Sequence, residues 1–180
     1  MAFATETDLR YPVGKWERPG ALADEQRLVF INQIAEAPAK MRAAIAGLND
    51  QHLDTPYRPG GWTVRQTVHH VPDSHMNAFM RFKLALTEDI PTIKPYLEAR
   101  WAELADAKAP IGPSLDLLEA LHKRWIALLA SLKPVDWQRE FMHPEHGKTM
   151  SLDQTLSLYA WHGRHHVAHI TALRERNSWR

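Results

Sequence analysis

Four stretches of the chain repeat apolar residues at helical spacing, and segments rich in proline and glycine separate them. The clearest runs Leu115, Leu118, Leu121, Trp125, Leu128, Leu129, Leu132. Residues three and four apart fall on one side of an α-helix, so such a stripe has to be buried against another element. The first stretch begins at Asp24, read as an N-cap, and carries Leu28, Ile31, Ile34, Ala35, Met41 and Ile45 up to Gly47. The second opens at Thr63, also read as an N-cap, and turns Val64, Thr67, Val68, Val71, His75, Phe79, Phe82 and Leu86 inward. Ser114 is the expected cap of the third, and Pro134 its stop. Ser151 and Gln154 match a capping box ahead of the fourth, Leu152 to Arg176, whose last turn holds Arg174 and Arg176 where they suit the helix dipole. Four long helices in 180 residues imply an all-α fold, an antiparallel four-helix bundle with one long crossover connection.

The remaining segments fill in this plan. Pro38 and Pro72 fall inside helical stretches and are expected to kink or bend them, because each removes a backbone donor. The crossover lies between Pro91 and Pro113, with a shorter helix around Tyr96 to Ala107. Asp54 to Gly61 is dense in turn formers and reads as a loop, and Trp137 to Met150 as a loop or a short hairpin. Residues 1–22 form an irregular arm, with Tyr11 and Trp16 as its apolar pins, and the whole of 1–180 is expected to be one domain.

Composition narrows the chemistry. With 22 basic and 21 acidic residues the chain has no electrostatic case for nucleic acid or an anionic membrane, so a small-molecule partner is expected. The absence of cysteine excludes disulfides, thiolate metal sites and a cysteine nucleophile. Any metal must be held by His, Asp or Glu. No basic n-region and apolar core opens the sequence, and no run approaches a membrane span, so the cytoplasm is the expected location.

Histidine usage is the chemical signal. Of 11 histidines, six fall in two short clusters within helical stretches: His69 and His70 in the second, and His162, His165, His166 and His169 in the fourth. His162 and His166 are four apart and project from one helical face, so the pair can grip a single ion. His69 and His70 are adjacent, about 100° apart around their helix, so only one of them can point at the same spot. Three neutral imidazoles from two helices leave coordination positions open, as in catalytic rather than structural sites, and would suit zinc, nickel, copper or iron alike.

The stretch Tyr57-Arg-Pro-Gly-Gly-Trp-Thr-Val-Arg-Gln-Thr-Val-His-His-Val-Pro-Asp-Ser-His-Met-Asn77 and the later Leu158-Tyr-Ala-Trp-His-Gly-Arg-His-His-Val-Ala-His-Ile170 resemble the YfiT branch of the DinB-like superfamily. Tyr11-Pro-Val-Gly14 and Leu53-Asp-Thr-Pro-Tyr57 are similar to the same branch. The resemblance implies a four-helix bundle, a divalent metal (zinc or nickel) on His70, His162 and His166, and a homodimer. It also implies an activity of one of two kinds: a metal-dependent hydrolase, or a transferase joining a low-molecular-weight thiol such as bacillithiol to an electrophile. Pro72, two residues after His70, departs from the usual pattern, which more often has a small helix former there, and is expected to alter the local helix geometry.

Other readings stand beside these. His69 is expected to pack or face solvent, and His165 to be exposed. His169 shares the ligand face and is expected to pack behind it, with a fourth ligand or proton donor as the alternative. Asp73, three residues after His70, could orient that imidazole or pair on the surface, and Tyr159 is a candidate for the pocket, as is His75. Asp73, Tyr159 and His169 are therefore the candidates for catalytic roles. No Glu adjoins a ligand as in zincins, which favours thiolate chemistry over activated water. The competing function is a non-catalytic metal-binding or stress-response bundle with a structural metal, which requires a closed coordination shell and no cavity above the ion.

Overall fold

The computed structural model describes residues 8–145 and 147–179. Among the described residues six α-helices follow one another: α1 (Asp24–Ile45), α2 (Asp50–Leu53), α3 (Val64–Thr87), α4 (Glu98–Trp101), α5 (Gly112–Ala130) and α6 (Leu152–Arg176), with a hairpin of β1 (Glu140–His143) and β2 (Lys148–Ser151) before the last. The long helices α1, α3, α5 and α6 form a four-helix bundle, and none of the described helices is long and apolar enough to cross a membrane.

Ion pairs and hydrogen bonds give the helix directions. Arg27 at the start of α1 meets Asp153 at the start of α6, and Arg174 near the end of α6 reaches the Ala44 carbonyl near the end of α1, so these two helices run parallel. His69 meets Ser114 and His75 meets His122, so α3 and α5 are parallel too, as the single long crossover between them requires. The pairs α1 with α5 and α3 with α6 are antiparallel, shown by Arg42 on Asp116 and His70 on His162.

Local signals account for most of the helix ends. Thr63 Oγ1 accepts from Gln66 N–H while Gln66 Oε1 accepts from Thr63 N–H, and Ser151 with Gln154 repeats the box at α6. Two expected caps are displaced. The N-cap of α1 is Ala23, whose N–H donates to Gln26 Oε1, and Asp24 is the first helical residue, its charge still at the positive end of the dipole. α5 begins at Gly112 with Pro113 in its first turn, a position where a missing N–H costs nothing, and the Ser114 hydroxyl is engaged by His69 instead. The expected crossover helix over Tyr96 to Ala107 is broken into α4 and a 3-10 turn at Ala105–Lys108. The segment after α3 is instead tied to the hairpin: Ile93 N–H donates to the Met142 carbonyl and Met142 N–H to that of Pro91. Trp137 to Met150 contains that hairpin.

The arm, described from Asp8, lies along α6, with Trp16 donating to Ser157 and Trp161 to the Gly14 carbonyl. The expected reading of its first residues, Met1 to Thr7, lies outside the described residues. Asp153 is 1% exposed and ties arm, α1 and α6 together, accepting from Leu22 N–H, two Arg27 nitrogens and Gln138. A buried carboxylate so fully hydrogen-bonded is tolerated, and removing its partner would cost about 3–5 kcal/mol.

The apolar core is split in two. One cluster holds Ile34, Ala78, Phe82, Trp125, Leu129, Phe141, Leu152 and Leu156; the other holds Met41, Val64, Val68, Leu115, Leu118, Ile170 and Leu173. Leu28, expected inward, is 60% exposed. On α3, α5 and α6 the level between the two clusters is occupied by histidines 70, 75, 122, 162 and 166.

Candidate metal centre

Three of those histidines converge. His70 from α3 and His162 and His166 from α6 each offer a ring nitrogen, and the three nitrogens lie within 4.8 Å of one another. His70 Nε2 and His162 Nε2 are 3.2 Å apart. Two nitrogens bound tetrahedrally at zinc distances would stand about 3.3 Å apart, so the donor set fits a divalent ion. α3 runs through Pro72 as continuous helix, and His70 still points at the pair on α6.

Burial sets the protonation of the three imidazoles. His70 and His166 are 8% and 6% exposed, and Trp62 packs its ring on His70 at 4.6 Å. Desolvation lowers the pKa of His70 to about 4 and holds His162 and His166 well below the usual histidine range, with neighbouring imidazoles adding to the effect at those two. All three are therefore neutral at physiological pH, the form that binds metal.

His69 cannot share the site. Its Nε2 donates to the Ala109 carbonyl and its Nδ1 accepts from the Ser114 hydroxyl, so both ring nitrogens are engaged by the crossover and α5. The start of α5 thus turns His69 away from the pair on α6 and leaves His70 facing it.

Above the three imidazoles opens a cavity of about 400 Å³. Its wall includes Ser74, Arg81, Tyr96, Glu98, His143, Glu145 and Tyr159. Tyr159 thus reaches the pocket, its ring 5.5 Å from that of His162. Asp73 does not: among the described residues it makes no hydrogen bond to His70, and burial together with the Asp106 charge raises its pKa to about 6. His169 turns away, its Nε2 donating to the Arg10 carbonyl and its ring stacked on Tyr57 at 3.9 Å. His165, expected to be exposed, is 8% exposed, because Trp161 stacks on it at 4.3 Å and the arm passes over that face with Tyr11 6.1 Å away.

Sequence spacing missed Glu98 and Glu145, which come from α4 and the hairpin turn and have no periodic relation to the ligands. Ser74 was within reach of such reasoning, since it lies one turn beyond His70 on the same face. Burial raises the Tyr96 phenol well above its ordinary pKa, against a smaller opposing contact with Ser74, so it remains a donor.

Fold and site together define a helical-bundle protein with a three-histidine centre at the floor of an open polar cavity. The sequence matches the model of the DinB superfamily over residues 33–170, and the chain belongs to that superfamily. It is 56% identical over 172 residues to a Bacillus mycoides protein named "Putative metal-dependent hydrolase", covering 96% of this chain and 99% of that one. A Bacillus thuringiensis relative with the same description is 55% identical over the same span. Among solved structures, YfiT from Bacillus subtilis, described as "a probable metal-dependent hydrolase with an unusual four-helix bundle topology", superposes with a TM-score of 0.94 at 48% identity, covering 96% of this chain and 99% of that one.

Proposed function

We propose that the chain is a metal-dependent hydrolase acting on a small molecule, with zinc or nickel held by His70, His162 and His166. The observation that carries this reading is the convergence of three neutral imidazoles at the floor of a cavity whose wall also carries two carboxylates. His70, His162 and His166 would hold the ion, and a divalent metal there would supply Lewis acidity for activating a water. Glu98 and Glu145 offer the base that no residue beside the ligands provides, and either can take the proton of the attacking nucleophile. Arg81 presents a positive charge to an anionic substrate group, and the protonated Tyr96 donates to developing negative charge. The homodimer that the resemblance implies is part of the same proposal.

The structural-metal alternative requires a closed site, and the cavity counts against it. Transfer of a low-molecular-weight thiol to an electrophile is the second reading, favoured by the openness of the same three-imidazole floor to a thiolate. Incubating metal-loaded protein with ester and amide panels, and separately with a thiol plus an epoxide or alkyl halide, separates the two. Hydrolysis that falls in Glu98→Gln or Glu145→Gln is expected. Thiol consumption without any hydrolysis would overturn the hydrolase reading.

A further inference from the structure

On the side of His162 away from the cavity, a line of hydrogen bonds crosses the whole bundle. His162 Nδ1 meets His75 Nε2 at 3.1 Å, His75 Nδ1 meets His122 Nε2 at 2.8 Å, and His122 Nδ1 lies 2.7 Å from the Ile34 carbonyl oxygen. The line passes from α6 through α3 and α5 to α1. His75 and His122 are 0% and 2% exposed, so no water competes along it.

The last member sets the direction of every bond. A backbone carbonyl only accepts, so His122 carries its proton on Nδ1 and donates to Ile34. A neutral imidazole has one N–H, so His122 Nε2 accepts and His75 donates from Nδ1. By the same step His75 Nε2 accepts, His162 donates from Nδ1, and the lone pair of His162 falls on Nε2, the atom that faces His70. The rings are neutral because His75 and His122 are buried away from water and none of their hydrogen-bond partners in the line is a carboxylate that would hold a charge.

The carbonyl at the end is available because of a proline. In an α-helix the oxygen of residue 34 would accept from the N–H of residue 38, and Pro38 has none. Ile34 is 0% exposed, so its carbonyl would otherwise be buried without a partner. Pro38 thus creates the acceptor that His122 fills.

We infer that Pro38, Ile34, His122 and His75 act as a tautomer lock, holding His162 in its Nδ1–H form so that Nε2 is the metal-binding atom. His75 and His122 are positioning residues that act through His162; the inference rests on the metal reading above. Nitrogen-15 NMR of metal-free protein labelled at histidine reads the lock directly, since protonated and bare ring nitrogens resonate far apart. Protonated Nδ1 and bare Nε2 are expected at His75, His122 and His162. A protonated Nε2 at His162 overturns the inference.

Zinc titration of the wild type, His122→Gln and His122→Leu supplies the second readout. Glutamine can still donate to Ile34 and accept from His75; leucine, of similar size, can do neither. The leucine variant should lose roughly 10- to 100-fold in zinc affinity, the range seen when a ligand's hydrogen-bond partner is removed. The glutamine variant should stay close to the wild type. Equal affinities in all three proteins, or equal losses in both variants, would reduce His122 to packing and overturn the lock. A wild type that binds no zinc would defeat the metal reading instead, and the spectrum of the metal-free protein would still decide the tautomers.

Discussion

Two histidine clusters share α6 and one residue, His166, yet they differ in what surrounds them. The cluster of His70, His162 and His166 draws one member from α3 and faces an open cavity. The cluster of His165, His166 and His169 comes entirely from α6 and is closed by Trp161, Tyr57 and the arm, with all three Nδ1 atoms buried and without a hydrogen-bond partner among the described residues. Proximity and residue type are equal in the two. What separates them is a second helix that adds a histidine from across the bundle, and a cavity above the ring nitrogens.

That contrast can be broken by substitution. The largest effect is expected at the shared and open positions: His162→Ala or His166→Ala should abolish bound metal and reduce hydrolysis to background, measured by elemental analysis and turnover. Next come the cavity carboxylates. Replacing the acting base by Gln, at Glu98 or Glu145, should cost about 10²- to 10⁴-fold in kcat with metal content unchanged.

Acid sharpens the contrast in a different way. Histidines of both clusters have folded pKa values below the unfolded value near 6.5, His70 and His169 at about 4 and His165 at about 3, each chiefly through burial. The unfolded chain therefore binds more protons below pH 6.5. The stability these groups contribute is present above that pH and is lost as pH falls toward 4, by about 1.4 kcal/mol per pH unit for each proton taken up on unfolding. Denaturant unfolding between pH 7 and 4 should show this slope, and added zinc should raise stability at pH 7 and steepen only the share of the slope due to His70, His162 and His166, because ligated rings stay unprotonated in the fold and take up protons on unfolding. The smallest effect belongs to the closed cluster. His169→Phe removes the bond to the Arg10 carbonyl and should cost about 1 kcal/mol in denaturant unfolding while leaving metal content intact.

The sequence is most legible where one helix carries the whole pattern. His162 and His166 lie four apart on α6, and the helix begins and ends where Ser151, Gln154, Arg174 and Arg176 place it. Legibility fades where another element decides. The roles of His69 and His70 depend on the start of α5, which Pro113 shifts upstream of Ser114. The exposure of His165 depends on an irregular arm with no periodicity to read. Glu98 and Glu145 reach the cavity through loop geometry, and the crossover breaks into short turns between Pro91, Pro95 and Pro110. His122 was legible and passed over: it is a polar residue four after Leu118 and three before Trp125, inside an apolar stripe, where it needs a partner.

Metal content of untagged protein tests the central claim most directly. Wild type, His162→Ala and the double variant His165→Phe/His169→Phe would be purified alike and analysed for divalent metal after dialysis. A single equivalent in the wild type and in the double variant, with none in His162→Ala, is the expected result. Metal retained by His162→Ala, or lost from a folded double variant, would place the ion in the closed cluster and contradict the account.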